Sequence, residues 1–310
     1  GQIPQNHFYA LEVLRNTGTE QQKQKLYAEV LKGARFGNAL AEFKTKNATQ
    51  KQTAITPTEH GFVVNGEKFY CTGSLFAHRI PTLVKDHENR EFLAFIARES
   101  EGLELIDDWS GFGQRTTGSG TVKFNNVQVA AEDIIPFDTA FSQVTLVGPF
   151  AQIMHAAIET GIARAAFEET LHRVRQARPW IDSGVDQATA DPLILFELGR
   201  IVADVRASEV LLKQAARSID AAKPQPTVAN IAKASLDVAK VRAHSTETAL
   251  KASSKLIELA GSRGSQREDG LDRFWRNARV HTLHDASRWK YYFIANHLLN
   301  GVLPPRRGTL

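Results

Sequence analysis

At about 150 residues per domain, the 310-residue chain has room for roughly two domains and for a core that holds without staples. Hydrophobic residues make up 42% and charged residues 23%, the balance of a soluble globular protein, while the single cysteine, Cys71, excludes a disulfide framework and a multi-cysteine zinc site. The net charge of +4 comes from 38 Lys and Arg scattered among 34 Asp and Glu, so no basic block calls for nucleic acid, and the mild excess suits a small anion such as phosphate.

No apolar run approaches the roughly 18 residues of a membrane span. The opening Gly1-Gln2-Ile3-Pro4-Gln5-Asn6 has neither the basic nor the apolar region of a signal peptide, so a reduced cytoplasmic setting is expected. Residues 1–35 read as helices. The apolar stretch from His7 to Leu14 is one of them. Thr19 with Gln22 forms a capping box for a second, over about residues 20–32, and Gly33 stops it. The pattern opens as if part-way through a helical domain, and a truncated chain is expected.

From residue 36 to 137 the period becomes that of strands, and an antiparallel β domain is expected. Asn65-Gly66 suits the two positive φ values of a type I′ turn, which predicts a hairpin from residues 61–64 and 67–70. Residues 79–84 and 92–97 flank a polar turn. Residues 121–124 and 127–129 read as a further strand pair. From 138 to 310 the pattern is helical again. Long segments at about 147–177, 192–221, 227–260 and 273–299 predict an up-and-down four-helix bundle.

The densest chemistry lies in the last segment. His281 and His284, three apart, share one face of a helix. A metal site lacks Glu-x-x-His partners; two structural histidines and an acid–base histidine remain open readings. Arg263-Gly264 sits between long helices, where a phosphate site and a plain turn fit equally well. Trp109, beside Asp107-Asp108, reads as core or as the wall of a cofactor pocket. Walker A, Gly-x-Ser-x-Gly and dinucleotide signatures are absent.

The order helices, β domain, helix bundle resembles the acyl-CoA dehydrogenase superfamily, and within it the dibenzothiophene monooxygenases and related sulfur-acquisition oxidoreductases. The resemblance covers essentially the whole chain. It rests on Phe36-Gly37-Asn38-Ala39-Leu40, on Val64 to Gly73, on Asp107-Asp108-Trp109 with Arg115, Thr117, Ser119 and Gly120, and on Gln176-Ala177-Arg178-Pro179-Trp180. Further matches are Gln187-Ala188-Thr189 with Asp191-Pro192, Gly270 to Asn277, His281-Thr282-Leu283-His284-Asp285 and Leu299-Asn300-Gly301. The family's opening helices have no counterpart here. Dehydrogenases of this fold carry a glutamate base in Tyr-Glu-Gly-Thr, where this chain reads His284-Asp285-Ala286-Ser287; the shorter carboxylate argues against proton removal beside a thioester.

The resemblance implies an α+β, acyl-CoA dehydrogenase-like fold and a reduced-FMN-dependent monooxygenase. Its flavin C4a-hydroperoxide would pass oxygen to a small organosulfur-type substrate, and a separate NAD(P)H-dependent reductase would supply the flavin. His284, Asn38, Thr72 and His7 would be the catalytic set. Tyr70, Thr72 and Trp109 would flank the flavin, and Arg178 would bind its phosphate from a neighbouring subunit, with Arg263, Gly264 and His281 as further candidates. FMN is favoured over FAD because Arg178-Pro179-Trp180 replaces the Phe-Gly pair of the FAD enzymes. A homotetramer is implied, with no metal, nucleic acid or membrane partner. The alternatives are an acyl-CoA dehydrogenase-type FAD enzyme and a catalytically incomplete chain.

Overall fold

The first helix, α1 (Gln2–Thr17), turns Tyr9, Ala10, Val13 and Leu14 inward at helical spacing and ends where the Gly18 N–H caps the Leu14 carbonyl. The capping box at Thr19 forms as expected: the Thr19 hydroxyl accepts from the Gln22 N–H at 3.3 Å and the Gln22 amide oxygen from the Thr19 N–H at 2.9 Å, starting α2 (Glu20–Leu31). The computed structural model describes residues 1–43 and 52–310. The chain divides into two compact units, Gly1–Ser110 with Arg115–Phe150, and Gly111–Gln114 with Ala151–Leu310. Both opening helices therefore fall in the same unit as the sheet, and the helical part of the second unit runs from Ala151.

Among the described residues of the first unit, seven strands form one sheet: β1 (Ala54–Thr58), β2 (Gly61–Lys68), β3 (Arg79–Lys85), β4 (Glu91–Ala97), β5 (Leu103–Ile106), β6 (Thr121–Val129) and β7 (Ile134–Pro136). Their order is β5-β6-β2-β1-β3-β4-β7. Pairing is antiparallel except at the seam between β1 and β3, which run parallel and touch only at Ala54 and Lys85. Into that seam the chain inserts Phe36 and Ala39, each bridged in parallel to β3. Val64, Ile80, Val84, Ile96, Phe124 and Val127 fill the core over this sheet. A short helix, α3 (Thr139–Ser142), follows β7.

Two expected turns are absent. Asn65-Gly66 lies inside β2, because only Gly66 takes a positive φ (+146°), and a type I′ turn needs two such residues. The hairpin that forms is β1–β2, turning at Glu59 and His60. Asn125-Asn126 likewise lies inside β6: Asn126 alone is left-handed, at φ +53°. The two irregularities face each other. The register slips between Val64 and Gly66, and the Asn65 and Asn126 side chains bridge the slip at 3.1 Å. They make a bulge in a continuous ladder where the sequence suggested two reversals.

In the second unit, α4 (Val147–Val174, of which Ala151 onward belongs here), α5 (Pro192–Ala222) and α6 (Val228–Leu259) are the expected long helices. Asp191 caps α5 by accepting from the Leu193 and Ile194 N–H groups, with Pro192 at the first helical position. The expected fourth helix is broken into α7 (Asp272–His281) and α8 (Arg288–Asn300). After His281 the N–H groups of Leu283 and His284 bond three residues back, tightening the turn. The Thr282 hydroxyl takes up the Arg279 carbonyl at 3.0 Å. Ala163, Ile201, Val205, Ala249, Leu256 and Ala278 share one core across α4 to α7. No helix among the described residues is long and apolar enough to cross a membrane.

A Cβ on Gly66 would lie 2.7 Å from the Thr53 Cα at a φ hostile to L side chains. Gly66→Ala is expected to cost about 2 kcal/mol or more of stability. Urea unfolding checks this, and an unchanged midpoint would contradict the bulge.

Candidate active site

In the first unit the segment that follows α2 and bridges to β3 carries Asn38. Gly37 presses on Ser74, where a Cβ would meet Ser74 Oγ at 2.7 Å. The Asn38 N–H and carbonyl both bond the Ser74 hydroxyl, at 3.1 and 2.9 Å. The Asn38 amide then reaches the Tyr70 carbonyl at 3.4 Å. That same carbonyl accepts from the Thr72 N–H at 2.8 Å, and Tyr70 takes the left-handed φ of +56°. A bulky residue in that region stores strain, a recurrent feature of functional sites. The Thr72 hydroxyl continues into a buried chain, 2.7 Å to Ser119 and 2.6 Å on to Thr117.

Tyr70 is 48% exposed and meets Trp109 edge-on at 6.0 Å. Asp108 is structural, accepting from the Thr121 N–H and hydroxyl at 2.8 and 2.7 Å at the start of β6. His7 joins the group through Phe36: its Nδ1 accepts from the Phe36 N–H at 3.1 Å, and burial lowers its pKa. Five sequence-predicted residues, Asn38, Tyr70, Thr72, Trp109 and His7, are thus linked by bonds or ring contacts within one unit.

In the second unit, the break after α7 gathers charge. Glu159 on α4 and Arg242 on α6 are fully buried and paired through Arg242 Nη1. The other Glu159 oxygen accepts from the Ser245 and Thr246 hydroxyls, each at 2.9 Å. His281 Nδ1 lies 3.1 Å from Glu159, and His281 Nε2 lies 3.2 Å from His155 Nδ1. The His155 ring centre is 4.0 Å from that of His284. His284 Nδ1 is 3.4 Å from Asp285 Oδ2. The other Asp285 oxygen faces two cations, Lys290 at 3.5 Å and Arg242 at 3.7 Å.

The electrostatics follow from burial against these partners. Burial alone would raise the Asp285 carboxyl, but the His284 hydrogen bond and the charges of Arg242 and Lys290 outweigh it and hold it far below the carboxylate range. Glu159 is likewise held ionised against burial by His281 and Arg242. Burial, reinforced by the surrounding cations, pushes His155 well down. It also lowers His281, with Glu159 opposing. His284 keeps a side chain 43% exposed.

This arrangement has relatives. A family model described as "Acyl-CoA dehydrogenase, C-terminal domain" matches residues 153–289. Dibenzothiophene monooxygenase of Rhodococcus erythropolis is 31% identical over 320 residues, covering 96% of this chain and 76% of the relative. The chain belongs to the flavin-dependent monooxygenase branch of the acyl-CoA dehydrogenase superfamily. A probable FMNH2-dependent monooxygenase, SfnC of Pseudomonas putida, is 26% identical over 309 residues, covering 96% of this chain and 76% of SfnC. The solved complex of TdsC from Paenibacillus sp. A11-2 with FMN and indole matches with a TM-score of 0.94 at 28% identity, over 100% of this chain and 81% of TdsC. The expected acyl-CoA dehydrogenase-like fold is the one the enzyme adopts.

The remaining expected site residues of this monooxygenase are less uniform. Arg178 is exposed in the loop after α4 and has no hydrogen-bond or ion-pair partner among the described residues. Arg263 is exposed too. Gly264 is buried, and a Cβ there would meet the Ala260 Cβ at 2.9 Å, so packing alone accounts for it. His281 was an expected anion ligand, but both its ring nitrogens are spent on Glu159 and His155, which leaves none for a phosphate. Sequence reasoning missed His155, Glu159, Arg242 and Lys290. The available signal was His155-x-x-x-Glu159, one helical turn apart in an otherwise apolar run.

Removing one member of a buried ion pair strands the other. Arg242→Met is expected to cost about 3–5 kcal/mol, read by chemical denaturation. The pH dependence has a definite sign. With His155 and His281 held below 6.5, the unfolded chain binds protons that the folded one refuses. Stability should therefore fall as pH drops below 6.5, by up to about 1.4 kcal/mol per unit for each histidine. His155→Phe should flatten that slope, and a wild-type profile already flat down to pH 5.5 (about one unit below) would contradict neutral burial.

Proposed function

We propose that the chain is a reduced-FMN-dependent monooxygenase. It transfers one oxygen atom of dioxygen to a small organosulfur-type compound and takes its reduced flavin from a separate NAD(P)H-dependent reductase. The carrying observation is Asp285. A general base needs a pKa near the working pH. Asp285, flanked by Arg242 and Lys290 and held far below that range, is a poor base for a carbon acid. His284, next to it in the chain and partly exposed, keeps Nε2 uncommitted among the described residues. The relative named for dibenzothiophene supports the substrate class, and the FMNH2-dependent relative and TdsC with FMN support the cofactor.

Each unit by itself offers groups suited to FMN. In the first, Tyr70 and Trp109 offer partly exposed aromatic surface and Asn38 a polar edge, with Thr72 buried behind it; in the second, Arg178 and Arg263 carry exposed guanidiniums whose planar fork suits a phosphate. Bound reduced FMN supplies the electrons that activate dioxygen. The protein's part is to orient, exclude water and handle a proton. His284 donates Nδ1–H toward Asp285 and keeps Nε2 to take or return a proton. Asn38 offers an amide donor, and His7, whose Nδ1 is occupied by the Phe36 N–H, offers Nε2–H. Exposed Trp180, Ile181, Leu193 and Phe196 support a homotetramer that covers them.

The test supplies reduced FMN through a flavin reductase and reads oxygenated products of dibenzothiophene and indole by mass spectrometry. His284→Phe is expected to keep the fold and FMN affinity while turnover falls about 100-fold or more. Turnover within a few-fold of wild type would remove His284 from the reaction. FMN is expected to bind in preference to FAD; tighter binding of FAD would contradict the cofactor reading.

A further inference from the structure

The reading of His284 leaves His155, Glu159 and His281 without a role, yet the three are nearly sealed from solvent and joined in line. The direction of the line can be worked out. A carboxylate only accepts, so His281 Nδ1 carries the proton that bonds Glu159. A neutral His281 then has its lone pair on Nε2, 3.2 Å from His155 Nδ1, and His155 must donate there. Its ring is locked as the Nδ1–H tautomer. Arg242 on α6 and Lys290 on α8 bear on the same ring, as do His281 and His284, and all disfavour a second proton on it.

Against this locked ring lies His284, centre to centre at 4.0 Å and tilted by 36°. The bond from His284 Nδ1 to Asp285 is long, 3.4 Å, and too weak to hold a 43%-exposed side chain by itself. A second support is required, and the ring face is in contact.

We infer that His155 is a positioning residue: its ring, clamped by His281 and Glu159, is the platform against which His284 stacks, so that Nδ1 of His284 stays on Asp285 and Nε2 stays free. This rests on the reading of His284 as the proton-handling group, but its test does not need turnover. Chain labelled with 15N-histidine is examined without flavin by NMR, which distinguishes the two neutral tautomers of each imidazole. Wild type should show His155, His281 and His284 all as Nδ1–H tautomers, with His155 still neutral at a pH where an ordinary imidazole is charged. His155→Leu removes the platform and should shift His284 toward the Nε2–H form of a free imidazole. His155→Phe keeps a ring in place and should preserve the Nδ1–H form.

Under turnover, His155→Leu should lower kcat about 10- to 100-fold with little change in KM, and His155→Phe should recover most of the loss. Wild-type His155 as Nε2–H, a His284 tautomer indifferent to His155→Leu, or an equal shift with His155→Phe would each overturn the inference. A tautomer shift at His284 with kcat unchanged would leave the positioning intact and overturn the role of His284 instead.

Discussion

A carboxylate and a guanidinium withdrawn completely from water, Glu159 against Arg242, are what the end of the helical unit is built around. Burying two such charges costs several kcal/mol each unless the remaining lone pairs and protons find partners. Glu159 finds them in Ser245 and Thr246 of α6 and in His281 of α7, while Arg242 bonds Glu159 and Thr246 through Nη1 and leaves Nε and Nη2 without a hydrogen-bond partner among the described residues. The pair has two consequences. It anchors His281 at the last turn of α7, and it leaves Arg242 Nη2 facing Asp285. The helix that would have continued is unwound between these two anchors. His284 therefore projects from a turn instead of from a helical face.

The same pair decides which chemistry the segment can carry. Dehydrogenation beside a thioester needs a carboxylate whose pKa lets it accept a proton near neutrality. Asp285 lies between Lys290 and Arg242 and accepts from His284, so its negative charge is already spent. In the function we propose, the neighbouring imidazole of His284 handles the proton, with Asp285 as its counter-ion 3.4 Å away.

Much of this was legible in the sequence. The capping box at Thr19, the strands from 79 to 97, Asp191-Pro192 at the head of α5 and the family resemblance all rest on local chemistry, which a linear reading sees. The illegible parts share one cause, in that their partners lie far away in the chain. Asn65-Gly66 looks like a turn until β1 and β6 claim β2 on both edges. Arg242 carries no signal of its own in an Ala-rich helix, and its role emerges only with α6 buried around most of its circumference. His281 looks available for an anion until Glu159, 122 residues earlier, takes its Nδ1. The break before His284 follows from the same long-range bond, and no helix-stop signal marks it.

The most direct measurement of the central claim, that Asp285 is neutralised as a base, is anaerobic incubation of the FMN-loaded enzyme with a saturated acyl-CoA such as butyryl-CoA. With Asp285 tied to two cations, no proton leaves the thioester, and the visible absorption of the oxidised flavin should persist indefinitely. Bleaching of the flavin with formation of the enoyl thioester would show a working carboxylate base at this position and contradict the claim.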